Sequence, residues 1–228
     1  MVGKIREPSG CVWLGQVTRL VGMSEVSHTG FGVDVGATRL DDLDKRLLVE
    51  VESQTGVRVL DLGCGVGGAA AHLRQGGAEI VGVDQHDFAA AWQDVGVFYQ
   101  ADIASLPTLL PSEQFTHCLC QRTIHYVPYN DALKLLLHLR TVVTHTLFIS
   151  FSGATSALAH EYPTLDHPVT NRHALLAPAE QTTFGITAPI TLYHAVEAID
   201  LIEQAGWKII WSRTTDFGNI LVVATRSV

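Results

Sequence analysis

Val59-Leu60-Asp61-Leu62-Gly63-Cys64-Gly65-Val66-Gly67-Gly68 passes from an apolar, β-branched run into a cluster of glycines, and an alanine-rich stretch follows it. Val57 to Leu62 has the character of a buried strand, the glycines of a tight turn, and Gly68 to Gln75 of a helix. A strand that enters a helix through glycines is the first half of a βαβ unit. Its helix N-terminus presents backbone N–H groups to a ligand, and glycines at 63, 65 and 67 let that ligand approach where a Cβ would collide. The same letters satisfy G-x-G-x-x-G through Gly63, Gly65 and Gly68, so a nicotinamide dinucleotide is weighed beside other nucleotide ligands.

Working outward, apolar runs bounded by Gly and Asp alternate with helix-like stretches. Strands are predicted at Glu79–Asp84, Val97–Gln100, Phe115–Gln121 and Thr146–Ser152, with helices near Asp87–Trp92 and Asn130–Val143. Right-handed crossovers lay such strands side by side in a parallel sheet. Upstream, Leu40, Leu43, Leu47, Leu48 and Val51 recur at helical spacing between Arg39 and Gln54, and Gly56 supplies the stop. Residues 1–39 do not fit the βα pattern and read as an N-terminal extension. Residues 153–190 carry four prolines and exceed an ordinary loop, which predicts an inserted lid or substrate-binding segment. Thr191 to Ala205 reads as a helix capped by Thr191 and ended by Gly206. Two strands, Trp207–Thr214 and Asn219–Thr225, then form a hairpin turned at Asp216–Gly218. The expectation is one domain over residues 1–228: α/β, doubly wound, with a mostly parallel sheet, a C-terminal antiparallel hairpin and helices on both faces.

Of the 228 residues, 47% are hydrophobic and 17% charged, enough to bury a sizeable core. Fifteen Lys and Arg against 23 Asp and Glu give a formal charge of −8, and the basic residues are scattered, which argues against a nucleic-acid partner. Cys11, Cys64, Cys118 and Cys120 lack the spacing of a disulfide framework, so a reducing, cytoplasmic setting is expected, with neither signal peptide nor membrane span.

The acids discriminate between ligands. Asp61 stands two residues before the first glycine, where a carboxylate repels a pyrophosphate and suits a cation-bearing cofactor. Asp84 ends Ile80-Val81-Gly82-Val83-Asp84 and is placed to accept from both hydroxyls of a ribose. Asp102, in Tyr99-Gln100-Ala101-Asp102-Ile103, is placed to accept an adenine amine, while Ile103 offers an apolar face to the ring. Each acid also has a purely structural use: Asp84 as a strand end, Asp102 as the cap of a short helix. Three acids at three successive strand ends are far more specific than one glycine loop.

Through Asp61–Gly67, Val83-Asp84 and Ala101–Ile103, the chain resembles the class I, Rossmann-like S-adenosylmethionine-dependent methyltransferases from about Arg39 onward, including the Gly206-Trp207 pair before the hairpin. The resemblance implies a seven-stranded sheet and S-adenosylmethionine as cofactor, with S-adenosylhomocysteine as product. It also implies that Asp61, Gly63, Cys64, Gly65 and Gly67 hold the methionine portion and Asp84 the ribose. Asp102 with Ile103 would hold the adenine, and Gln85 and Gln121 complete the cofactor set.

The reacting centre of such a sheet lies beyond the strand ends, so Gln121–Tyr129 should face the transferable methyl. His125 is the first candidate there, suited to accept a proton near neutral pH, and Tyr126 and Arg122 are weaker candidates for a catalytic role. Cys120-Gln121 brings to mind the Pro-Cys-Gln motif of cytosine C5-methyltransferases, but Leu119 replaces the proline and Glu-Asn-Val is missing. The Asn/Asp-Pro-Pro-aromatic motif of base amino-methyltransferases is missing too. His160, His167, His173 and His194 lack metal-ligand spacing, so no metal is expected. Tyr162, Phe184 and Tyr193 are expected to wall a substrate pocket. The leading expectation is methyl transfer to O, N or C of a small molecule by direct displacement. The alternatives are an RNA or protein methyltransferase, a non-catalytic cofactor-binding regulatory module, and an NAD-dependent oxidoreductase.

Overall fold

The computed structural model describes residues 40–110 and 114–226. The extension 1–39 lies outside the described residues. Seven strands form one sheet in the order β3-β2-β1-β4-β5-β7-β6: β1 (Arg58–Leu62), β2 (Glu79–Asp84), β3 (Val97–Gln100), β4 (Phe115–Cys120), β5 (Val143–Phe151), β6 (Trp207–Thr214) and β7 (Ile220–Arg226). The first five are mutually parallel. β7 runs antiparallel between β5 and β6, which is the predicted mixed sheet with its C-terminal hairpin.

Alternation along the strands divides the core into two layers, because successive side chains point to opposite faces. On one face Leu60, Leu62 and Val83 meet α4 (Tyr129–Val142) and α6 (Ala195–Gln204) through Leu135, Leu139 and Leu201. On the other, Val59, Ile80 and Phe148 meet α1 (Asp42–Ser53) and α2 (Gly68–Gln75) through Leu43, Leu47, Val51 and Leu73. Cys118 and Cys120 share the first face and are fully buried, as their alternate spacing predicts.

Two elements depart from the sequence reading. The stretch at 87–92 makes a 3₁₀ turn, Ala89–Trp92, because the Trp92 ring is drawn into the core (1% exposed). The helix expected from Thr191 starts at Ala195, with His194 as its N-cap and the Glu197 carboxylate accepting from the His194 N–H at 2.7 Å. Thr191 is instead buried, its N–H donating to the His125 carbonyl at 2.7 Å.

The short α3 (Leu106–Leu109) precedes α4, and residues 153–190 hold 3₁₀ turns and α5 (Pro178–Phe184). They gather their own apolar cluster around Leu158, Tyr162, Leu176, Ile186 and Ile190. The Arg172 guanidinium, 3% exposed, joins this segment to α6. It pairs with both Glu197 oxygens at 2.5 and 2.9 Å and donates to the carbonyls of His167 and Leu192. Among the described residues no helix is long and apolar enough to cross a membrane.

Candidate active site

The chain returns across the sheet between β1 and β4, and the crevice beyond the carboxyl ends of strands at such a switch point is where doubly wound folds bind ligands. A cavity of about 1040 Å³ opens there. One part is formed by the loops after β1, β2, β3 and β4, including Gly63, Gly65, Asp84, Gln85, Asp102, Ile103 and Gln121. The other is walled by Leu158, Thr183, Phe184, Ile186, Ala188 and Pro189 of the insertion and by Thr215, Phe217 and Asn219 at the hairpin tip.

Contacts explain the glycines. Gly63 has φ 68°, and a Cβ on it would lie 2.0 Å from Thr123 Oγ1. Its N–H donates to the Val83 carbonyl at 2.8 Å, which ties the loop to β2. The Gly65 N–H donates to Asp84 Oδ2 at 3.1 Å and the His86 N–H to Asp84 Oδ1 at 2.9 Å, so the carboxylate is fixed by two donors at the tip of β2. Trp92 is the contact that sequence reasoning missed. Its indole Nε1–H donates to the Gly65 carbonyl at 2.9 Å, and its ring lies 3.1 Å from where a Cβ on Gly67 would be. Gly67 and Cys64 do not line the cavity; Gly67 gives the left-handed entry to α2, and Cys64 packs in the same core layer as Trp92. Asp61 is buried, 4% exposed, and is not among the cavity-lining residues.

Asp102 both caps and lines: Oδ1 accepts from the Ala104 N–H at 2.8 Å. Gln121 Nε2 donates to Asp41 Oδ2 at 2.7 Å, which ties the start of α1 to the end of β4. Leu40, Asp41, Asp42 and Lys45 thereby reach the cavity. Only the tertiary pairing reveals this, since the two segments are 80 residues apart.

His125 and Tyr126 share the 3₁₀ turn Ile124–Tyr126 after β4 and both line the cavity, their ring centroids 4.3 Å apart. His125 is 3% exposed and its Nδ1 is buried without a hydrogen-bond partner. Burial first, then the charges of Arg122 and His173, hold its pKa down to about 3. Burial pushes the Tyr126 phenol well above its ordinary value. At neutral pH the pair is therefore an uncharged imidazole beside an uncharged phenol, able to accept and donate hydrogen bonds without carrying charge. Cys120 is no nucleophile at this pH, since burial, then Asp61, pushes its thiol up to about 12. Of the three aromatic residues expected to wall the pocket, Phe184 does so. Tyr162 points into the insertion's own core and donates to the carbonyls of Arg172 and Ile190, while Tyr193 is fully buried against Phe151.

Residues 60–146 match the family described as "Methyltransferase domain". Comparison with curated protein sequences gives no match. Among solved structures, the S-adenosylmethionine-dependent methyltransferase from Mesorhizobium loti aligns with a TM-score of 0.61 at 18% identity, over 81% of this chain and 98% of that one. Magnesium protoporphyrin IX methyltransferase from Synechocystis PCC 6803, with bound S-adenosylhomocysteine, gives 0.58 at 17% identity over 81% and 82%. The 1,6-didemethyltoxoflavin-N1-methyltransferase of Burkholderia thailandensis, with bound 1,6-didemethyltoxoflavin and S-adenosylhomocysteine, gives 0.57 at 14% over 82% and 79%. The cavity fits S-adenosylmethionine on its own geometry. The acid fixed at the tip of β2 suits a ribose, Asp102 and Ile103 suit an adenine, and the Gly63–Gly65 backbone leaves room beside them. The domain match over residues 60–146 and the sheet order make the chain similar, in fold, to the class I, Rossmann-like S-adenosylmethionine-dependent methyltransferases.

Proposed function

We propose that the chain methylates an oxygen, nitrogen or carbon of a small molecule by direct displacement. The observation that carries this reading is the continuity of the cavity: its cofactor-side loops open directly into a compartment walled by 153–190, and the whole is about 1040 Å³. Pockets for small ligands run from roughly 300 to 1,000 Å³, so cofactor and a compact acceptor fill it together. The Burkholderia neighbour, which holds 1,6-didemethyltoxoflavin, is consistent with this use of the fold.

In this reading Asp84 takes the ribose hydroxyls, Asp102 and Ile103 take the adenine, and Gln85, Gln121, Gly63 and Gly65 border the remainder. Bound S-adenosylmethionine supplies an electrophilic methyl group with a neutral thioether leaving. The chain's task is to align the acceptor and keep water out, which Phe184, Ile186 and Leu158 do as apolar walls. His125, uncharged, accepts a hydrogen bond from an acceptor O–H or N–H and takes its proton as the new bond forms, and the Tyr126 ring fixes the imidazole's orientation. The insertion 153–190 serves as the acceptor-side wall.

The test is labelled-methyl transfer into a metabolite mixture beside RNA and a protein extract. Label is expected in a small-molecule fraction. Label confined to RNA or protein overturns the proposal. With the acceptor in hand, His125→Gln should lower kcat about 100-fold and leave the Kd of S-adenosylhomocysteine within about twofold. An unchanged kcat removes His125 from the chemistry.

A further inference from the structure

Arg122 brings an incompletely hydrogen-bonded guanidinium to the cavity. Arg122 directly follows the cofactor-side Gln121 and lines the cavity. Its guanidinium Nε is buried with no hydrogen-bond partner among the described residues. Its backbone is unusual as well. Arg122 has φ 55°, a left-handed conformation rare for a residue with a side chain. Its N–H donates to Ser150 Oγ at 2.8 Å. That bond, with the end of β4 before it and the 3₁₀ turn after it, holds a strained residue that a glycine would occupy without strain.

A guanidinium in a poorly solvated place is normally paired. Elsewhere in this chain the rule holds: Arg172 has both Glu197 oxygens and two carbonyls. The nearest charges to Arg122 do not close its account of donors. Asp44 lies within its field and is mostly ionised at neutral pH, but it is not hydrogen-bonded to Arg122: its Oδ2 accepts from the Asp41 N–H, and its Oδ1, like Arg122 Nε, has no hydrogen-bond partner among the described residues. On the side of the insertion and the hairpin tip the cavity lining includes Leu158, Phe184, Ile186, Pro189 and Phe217, all uncharged.

From this geometry we infer that Arg122 reads an anionic group on the acceptor, so that the substrate class is a small apolar molecule bearing a carboxylate or an equivalent oxyanion. The guanidinium offers planar, charge-assisted donors to such a group, and the apolar walls take the rest of the molecule. The acids of the cofactor side repel an anion placed there, which directs it to the Arg122 end. This inference rests on the small-molecule reading of the preceding subsection.

The experiment measures binding to protein saturated with S-adenosylhomocysteine, using matched pairs: benzoate with benzamide, 2-naphthoate with 2-naphthamide, decanoate with decanamide. At least one carboxylate should bind about tenfold or more tightly than its amide, the size of a charge-assisted contact. That preference should vanish in Arg122→Gln and return in part in Arg122→Lys. Arg122→Gly, which relieves the backbone conformation, should lose the preference while keeping S-adenosylhomocysteine affinity within about twofold. If no pair favours the carboxylate in the wild type, or the preference survives in the Gln and Gly variants, the inference is wrong. Methylation of neutral or cationic small molecules alone would overturn it and leave the small-molecule reading standing. Labelling of only RNA or protein would instead remove that reading.

Discussion

Burial sets the charge state of three side chains, and the signs differ. The Asp44 carboxyl is raised from 3.8 to about 6, mainly by desolvation, so the folded chain holds its proton more tightly than the unfolded chain does. Its contribution to stability is complete below pH 3.8 and is lost as pH rises through 6. Asp44→Asn should therefore stabilise the protein at pH 8, on the order of 1–3 kcal/mol, and change little at pH 3.5. Urea midpoints at the two pH values check this, and an equal effect at both would be inconsistent with it. His117, fully buried, and His125 have folded pKa values lowered from 6.5 to about 4 and about 3, again mainly by desolvation. Their contribution is complete above pH 6.5 and is lost as pH falls through 4 and 3. A His117→Gln/His125→Gln variant should lose stability less steeply between pH 6.5 and 4 than the parent. At this scale the sequence was informative wherever a residue's function is set by its neighbours along the chain. The Gly63–Gly65 loop and the acids Asp84 and Asp102 all border the cavity. It was uninformative for Asp44, Trp92 and the open guanidinium of Arg122, whose properties come from partners distant in sequence.

Single contacts between elements carry the site's rigidity. Trp92 joins the turn after β2 to the glycine loop through its bond to the Gly65 carbonyl. Trp92→Phe keeps an aromatic ring in the core and removes that bond. S-adenosylhomocysteine should then bind about 2- to 10-fold more weakly, with a thermal midpoint lower by a few degrees; calorimetric titration and a melting curve measure both. Arg172 plays the same part between the insertion and α6. Arg172→Met should free residues 153–190 to limited proteolysis and raise the acceptor KM about fivefold or more, leaving S-adenosylhomocysteine affinity unchanged. Intact resistance to protease would show that the apolar cluster alone holds the segment. The pattern of apolar residues predicted α1, α2, α4 and every strand to within a few residues. It misplaced the start of α6 because Thr191 has the better capping chemistry, whereas the chain uses His194 with Glu197. Tyr162 and Tyr193 were assigned to the pocket because an insertion looks like a wall from its sequence. In the folded chain it needs a core of its own, and Tyr162 is in it.

Across the whole molecule, ligand and fold are thermodynamically linked. S-adenosylhomocysteine at about 100 times its Kd should stabilise the protein by about 2.7 kcal/mol, and Asp84→Ala should abolish most of that gain because both donors at the β2 tip lose their acceptor. A melting temperature that ignores the ligand in the parent protein would contradict the cofactor assignment. The doubly wound architecture was legible because each βα unit announces itself locally. The position of β7 was not, since its antiparallel place between β5 and β6 is a property of the finished sheet. That place has a consequence for synthesis. Of the seven strands described, β7 is the last in chain order and the one that joins β6 to the rest of the sheet. Until it emerges, the edge of β5 stands open beside residues already folding, a ready template for another nascent chain. Translation speed over the final hairpin, and chaperone capture of chains paused before it, thus become determinants of how much active enzyme a cell obtains.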